Sequence, residues 1–271
     1  MRSRINVPGA AIAYRFDGAA DAPVLMLANS LAADMRMWDA NVAGLARTHR
    51  VLRYDMRGHG GSSTPPGHYT PAMLADDAVA LMDALRIERV HFVGLSLGGI
   101  VGQQLGARYP NRLLSLSLCD TMSQQAAPVA WGERIVAVKA TGMQAVVDST
   151  LERWLTPRFR QGHPEAVAGL REMILGTRSE GFVGCAAAVR DLAQTALLGQ
   201  IRAPTLVLTG DADPVCTPLQ AQALQAQIPG AVVAVIDEAA HLPNVEQPDP
   251  FNAAIEQFIA SVGRQALHSS H

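Results

Sequence analysis

The chain is poor in the features that would assign it to most functional classes. Its three cysteines, Cys119, Cys185 and Cys216, are far apart and odd in number, and no C-x-x-C occurs. That excludes a disulfide framework and a cysteine-based zinc site. No H-E-x-x-H is present and the histidines do not cluster, so no metal is expected. No run of about 18 apolar residues could span a bilayer. The opening residues, Met1 to Pro8, lack the apolar stretch of a signal peptide. There is no basic run and no interleaving of aromatics with Lys or Arg, which argues against a nucleic-acid surface. No G-x-G-x-x-G opens a helix after a first strand, and the Gly-rich stretch Arg57 to Ser62 lacks the lysine of a phosphate loop. That stretch reads as a tight turn. What remains is a soluble cytoplasmic protein of net charge -2 that works on a small molecule without a cofactor, metal, membrane or nucleic acid. Nothing in the sequence sets its oligomeric state.

What is present is a large apolar fraction, 49% hydrophobic against 17% charged over 271 residues, enough for a sizeable core and against disorder. Short apolar runs recur at Val24–Asn29, Val51–Asp55, Val90–Gly94, Leu113–Cys119, Thr205–Thr209 and Ala231–Ile236. Near-continuous apolarity predicts strands buried on both faces of a parallel sheet. Between them lie amphipathic stretches such as 71–86, where Thr70 is an N-cap and Pro71 the first helical residue. Asp76 and Asp77 on this stretch read as early-turn charges on a solvated face. The alternation predicts an α/β fold with helices on both faces of the sheet. Ala11 to Phe16, before Asp17-Gly18, reads as part of an antiparallel edge hairpin. The polar tail after Gly263 is expected to fray.

The alternation stops between about 123 and 196, where only helical patterns appear. This segment reads as a helical cap, 123–196, inserted into a core made of 1–122 and 197–271. It follows the C-terminal end of a strand, where open α/β sheets carry ligand sites.

Gly94-Leu95-Ser96-Leu97-Gly98 sits between a strand and a helix. A G-x-S-x-G turn in that context strains the serine backbone and exposes its hydroxyl at the end of a sheet. The flanking glycines avoid collisions as strand and helix pack. A serine nucleophile needs a base and an acid that holds the base. Of the later histidines, His241 follows a strand by a short loop, whereas His163 lies in the insertion and His268 and His271 in the tail. Asp211 and Asp213 both lie past the strand 205–209; Asp213 is favoured as the acid, and Asp211 reads as a turn residue. The oxyanion donors are expected from the amide of Leu97 and from the loop Asn29-Ser30-Leu31.

Asp55-x-Arg57-Gly58-x-Gly60-x-Ser62, Gly94–Gly99 and Ala240-His241 together resemble the α/β-hydrolase superfamily over about residues 10–262. More closely, the chain is similar to 3-oxoadipate enol-lactonases at Asn29–Leu31, Met37–Asp39, Arg153-Trp154, Ala187–Asp191 and His241–Glu246. The resemblance implies a mostly parallel eight-stranded sheet with a helical cap. It implies a Ser96, Asp213, His241 triad and an oxyanion hole from the amides of Leu31 and Leu97. The implied reaction opens 3-oxoadipate enol-lactone to 3-oxoadipate in aromatic-compound breakdown. Such a substrate carries a carboxylate, for which Arg134, Arg153 and Arg190 are candidates, with Arg190 preferred and Trp131 and Trp154 as pocket walls. The alternatives on the same triad are a general carboxylesterase and a cofactor-free perhydrolase. A non-catalytic ligand receptor on the same fold is the alternative of another class, and Ser96 in place of an aspartate disfavours a dehalogenase.

Overall fold

In the computed structural model, which describes residues 3–268, eight strands form one sheet in the order β1-β2-β4-β3-β5-β6-β7-β8. The strands are β1 (Ser3–Val7), β2 (Ala10–Asp17), β3 (Val24–Ala28), β4 (Arg50–Tyr54), β5 (Val90–Leu95), β6 (Leu113–Cys119), β7 (Thr205–Gly210) and β8 (Val232–Ile236). From β4 through β8 every neighbouring pair is parallel, and β1 and β2 add antiparallel to the β4 edge. The central strands β5, β6 and β7 are buried almost throughout, as continuous Val, Leu and Phe runs require.

Eleven α-helices accompany them among the described residues: α1 (Asp39–Leu45), α2 (Pro71–Ala84), α3 (Leu97–Arg108), α4 (Pro128–Thr141), α5 (Val147–Trp154), α6 (Pro157–Gly162), α7 (Pro164–Leu175), α8 (Ser179–Arg190), α9 (Pro218–Gln225), α10 (Pro243–Glu246) and α11 (Pro248–His268). Helices α2 and α3 pack together on one side of the sheet, and α1 packs with α11. Thr70 caps α2, its hydroxyl accepting from Met73 N at 3.1 Å. None of the described helices is long and apolar enough to cross a membrane.

Helices α4 to α8 lie consecutively between β6 and β7. The two chain segments that enter and leave this insertion are joined at its base. Gln124 bridges Ala193, Gln125 N donates to Leu192 O at 3.0 Å, and Gln194 N donates to Ser123 O at 2.9 Å. On its other side, α8 rests on the Arg57–Ser62 turn. Gly58 has φ +84°, and a Cβ on Gly181 would collide with the Gly58 carbonyl. Neither backbone could approach this closely with a side chain between them.

The edge hairpin is made by β1 and β2 and turns at Pro8-Gly9, where Gly9 has φ +74°. Three expectations need correction. Strand β8 is not buried, because it forms the sheet edge and leaves Val232, Val233 and Val235 exposed. Asp77 is not solvated: it is buried in an ion pair with Arg57, tying α2 to the turn after β4. The polar tail continues α11 as far as His268, and residues 269–271, including His271, lie outside the described residues.

Candidate active site

Ser96 stands at the end of β5 with φ +56° and ψ -110°, a conformation strained for a residue with a side chain. The surroundings impose it. Ser96 N donates to Cys119 O at 2.8 Å on one side, and Thr121 Oγ1 donates to Ser96 O at 2.8 Å on the other. A Cβ on Gly94 would strike the Gly98 carbonyl, and one on Gly98 would strike the Ala28 carbonyl. Both glycines are therefore required by the closeness of strand, turn and helix.

The loop after β3 faces this turn. Asn29 anchors it, its side-chain amide donating to Tyr54 O at 3.1 Å while Oδ1 accepts from Trp38 Nε1 at 2.9 Å. Asn29 O also accepts from Gly98 N at 3.0 Å, joining the loop to the start of α3. Ala32 has φ +67°, and its amide donates to His59 Nε2 at 3.0 Å. Burial pushes the His59 imidazolium down to about 4, so the ring is a neutral acceptor at physiological pH. Leu31, between these anchors, lines the cavity beside Ser96. Leu97 is the first residue of α3, and its amide has no acceptor within the helix.

His241 follows β8 and is buried. Its loop is clamped from two directions. Ala240 N donates to Glu246 Oε1 at 2.7 Å, and Leu242 N donates to Trp154 O at 3.0 Å in the insertion. His241 Nδ1 lies 2.8 Å from Asp213 Oδ2. A carboxylate can only accept, so Nδ1 carries the proton and Nε2, across the ring, is left as the base. Ser96 and His241 line the same cavity. Oγ and Nε2 are not hydrogen-bonded here, and such contacts commonly tighten only in the Michaelis complex. Asp211 instead accepts from Ala239 N at 3.1 Å and shapes the turn.

Asp213 is almost fully buried. Burial alone would raise its carboxyl, but the charge and hydrogen bond of His241 and the amides of Val215 and Cys216 outweigh it, and the net shift is downward. Asp213, Cys216 and His241 bring their donor atoms within 4.8 Å of one another. As a metal site this set is poor, because Asp213 and His241 spend their facing atoms on each other and burial pushes the Cys216 thiol up.

The cavity beside Ser96 has a volume of about 90 Å³. Its floor is the turn of Ser96, Leu31 and Ile100, and its roof comes from the insertion, with Trp131, Arg134, Thr150, Arg153 and Trp154. Arg134 donates to Thr150 Oγ1 at 3.0 Å and lies 5.0 Å from the Trp131 ring centre. Arg153 reaches the same hydroxyl at 3.4 Å. Neither guanidinium has an ion-pair partner among the described residues. Burial and the neighbouring Arg153 lower Arg134 to about 10, and burial lowers Arg153 as well. Both stay charged at neutral pH, and both are more favourable with an anion present.

Arg190 does not reach the cavity. Its guanidinium is bonded in two places to Asp191, at 2.7 and 2.6 Å, at the exposed end of α8. Of the three arginines weighed as anion binders, the two not preferred are the ones that face the serine. A further wall residue, Asp120, was not anticipated. The signal available was its position at the end of an apolar run, one strand over from the serine turn.

Comparison with known proteins shows the family. Residues 23–248 match the family described as the alpha/beta hydrolase fold. The chain is 34% identical to 3-oxoadipate enol-lactonase 2 of Acinetobacter baylyi over 94% of its own length and 96% of the relative's. It superposes on the enol-lactonase from Burkholderia xenovorans with a TM-score of 0.93 at 36% identity, covering 95% of this chain and all of that one. It is also 28% identical to a RutD protein of Pseudomonas syringae, provisionally named a carbamate hydrolase, over 89% of this chain and 95% of that one.

Proposed function

For this chain, which belongs to the α/β-hydrolase family and is a hydrolase, we propose hydrolysis of a small carboxylated lactone, with 3-oxoadipate enol-lactone as the favoured substrate. One observation carries the reading. A single cavity is lined by Ser96, by His241 with Asp213 bonded behind it, and by two partly buried guanidiniums that have no ion-pair partner among the described residues. A neutral ester would leave those two charges uncompensated, whereas a carboxylate beside the scissile carbonyl would meet them. The identity to two enol-lactonases supports the lactone.

In this mechanism His241 Nε2 takes the proton of Ser96 Oγ as the oxygen attacks the lactone carbonyl. Asp213 holds the ring and stabilises the imidazolium. The amides of Leu31 and Leu97 receive the tetrahedral oxyanion, a contribution typically worth about 10²–10³ in turnover per donor. Breaking the ring ester releases an enol oxygen that takes a proton and tautomerises to the ketone. Water, deprotonated by His241, then releases the second carboxylate from Ser96. The Trp131 and Trp154 rings provide the apolar walls.

The test is a substrate panel followed by loss of lactone absorbance. The enol-lactone is expected to exceed neutral p-nitrophenyl esters and simple carbamates in kcat/KM by at least about 100-fold, the value of one charge-assisted contact pair. A preference for the neutral esters would reassign the protein as a general carboxylesterase. A preference for the carbamate would follow the RutD likeness instead. Ser96→Ala serves as the control for background hydrolysis.

A further inference from the structure

Asp120 is a buried carboxyl group that the mechanism above does not use. It follows β6 directly with φ +45°, has no solvent exposure, and forms part of the cavity wall. Oδ1 is occupied, accepting from Gly210 N at 2.9 Å and from Thr209 Oγ1 at 3.3 Å. Oδ2 receives no hydrogen bond from any donor among the described residues. The neighbour it does have is the carboxyl of Asp213. Two carboxyl groups make such an approach favourably only when a proton lies between them.

We propose that Asp120 is a neutral carboxylic acid that donates its Oδ2 proton to Asp213, making it a positioning residue for the acid of the catalytic set. The bond adds to those that already hold Asp213. Oδ1 of Asp213 is already held by Val215 N at 2.7 Å and Oδ2 by the imidazole at 2.8 Å. A further donor, beyond the imidazole and the amides of Val215 and Cys216, restricts rotation of the Asp213 carboxylate, so His241 keeps one orientation. The ionisable groups that face Asp120 agree with the assignment. They are Asp213 from the loop after β7, Cys216 further along that loop, and Cys119 at the end of β6, and no cation among the described residues pairs with it. Burial first, and then the negative charge of Asp213, push the Asp120 carboxyl far above the usual carboxylate range. Asp213, held low by its own partners, is the member of the pair that ionises.

The proposal rests on Ser96, Asp213 and His241 being the reacting set, and one arm of its test does not. Infrared difference spectroscopy of the wild type against Asp120→Asn at pH 8 is expected to show a protonated-carboxyl band that the variant lacks. This readout needs no turnover, so it stands whatever the substrate is. In kinetics, Asp120→Asn keeps a neutral donor facing Asp213 and is expected to hold kcat within about threefold, with the acidic limb of kcat/KM unmoved. Asp120→Leu removes the donor and is expected to lower kcat about 10- to 100-fold, the value of a hydrogen bond to a charged group, with KM changed less than threefold. Absence of the carboxyl band would overturn the assignment. So would an acidic limb displaced by half a pH unit or more in Asp120→Asn, since that means a negative charge was removed. Wild-type kcat in a folded Asp120→Leu would leave Asp120 a packing residue only. Should Asp120→Leu not fold, the band and the Asp120→Asn profile decide.

Discussion

A serine hydroxyl is inert at neutral pH, and in the proposed mechanism everything that would make Ser96 reactive is supplied by other residues. Replacing it with alanine should therefore lower kcat by roughly 10⁴–10⁶, the range expected when a nucleophile of this kind is removed, without loss of thermal stability. Lactone turnover at more than a hundredth of wild type would mean another group attacks. The arginines test a different side chain's role. Arg134→Met or Arg153→Met removes a guanidinium from the cavity wall while keeping an apolar stem of similar reach. Either should raise KM for an acidic lactone about 10- to 100-fold and leave a neutral ester unaffected. Parallel rises for both substrates would mark a packing role. Arg190→Met should change neither, because its charge is already spent on Asp191. The proposed triad could be named at this scale because strand-end position and chain order constrain each member to one or two choices. Which of the three arginines lines the cavity could not, since they have similar surroundings in sequence and only the roll of each helix decides which faces inward.

At the scale of elements, the closest fit in the molecule is where α8 meets the turn after β4. Gly181→Ala would drive a methyl group into the Gly58 carbonyl, with no flexible side chain able to give way. Overpacking of this kind typically costs about 1–3 kcal/mol. We expect a lower denaturation midpoint and a several-fold fall in kcat/KM for the lactone, because α8 carries part of the cavity wall. Unchanged stability and kinetics would mean that the insertion shifts freely on the core. Strands β2 to β8, helices α2 and α3 and the larger helices of the insertion were legible from their patterns, as was the break in alternation that marks the insertion. Sheet order was not, so the exposed β8 could not be told from its buried neighbours: both read as runs of valine and leucine. Asp77 was missed for a related reason. Its helix position is compatible with solvent, and only the fold brings the Arg57 turn onto it.

For the whole molecule, stability should carry the imprint of its buried histidines. His59 is neutral in the fold down to about pH 4, whereas an unfolded histidine takes up its proton near 6.5. Between those values the unfolded chain binds more protons, so stability contributed by the neutral ring rises with pH and is lost on acidification. The raised carboxyls of Asp77 and Asp120 act in the opposite sense and are retained in a His59 variant. Comparing wild type with His59→Gln therefore isolates the ring. The difference in unfolding free energy between pH 7 and 4.5 should shrink by about 2 kcal/mol in the variant. An identical pH dependence in the two proteins would show that His59 is protonated normally in the fold. The same substitution loosens the acceptor of Ala32 N, so turnover should fall along with the acid sensitivity.

The central claim is that Ser96 becomes a nucleophile because His241 and Asp213 stand beside it. It is tested most directly by intact-protein mass spectrometry after exposure to a small fluorophosphonate, followed by peptide mapping. One adduct per chain on the peptide bearing Ser96 is predicted, formed at least about 100-fold more slowly in His241→Ala. A fully active enzyme that stays unlabelled, labels at another residue, or labels equally fast without the imidazole would contradict it.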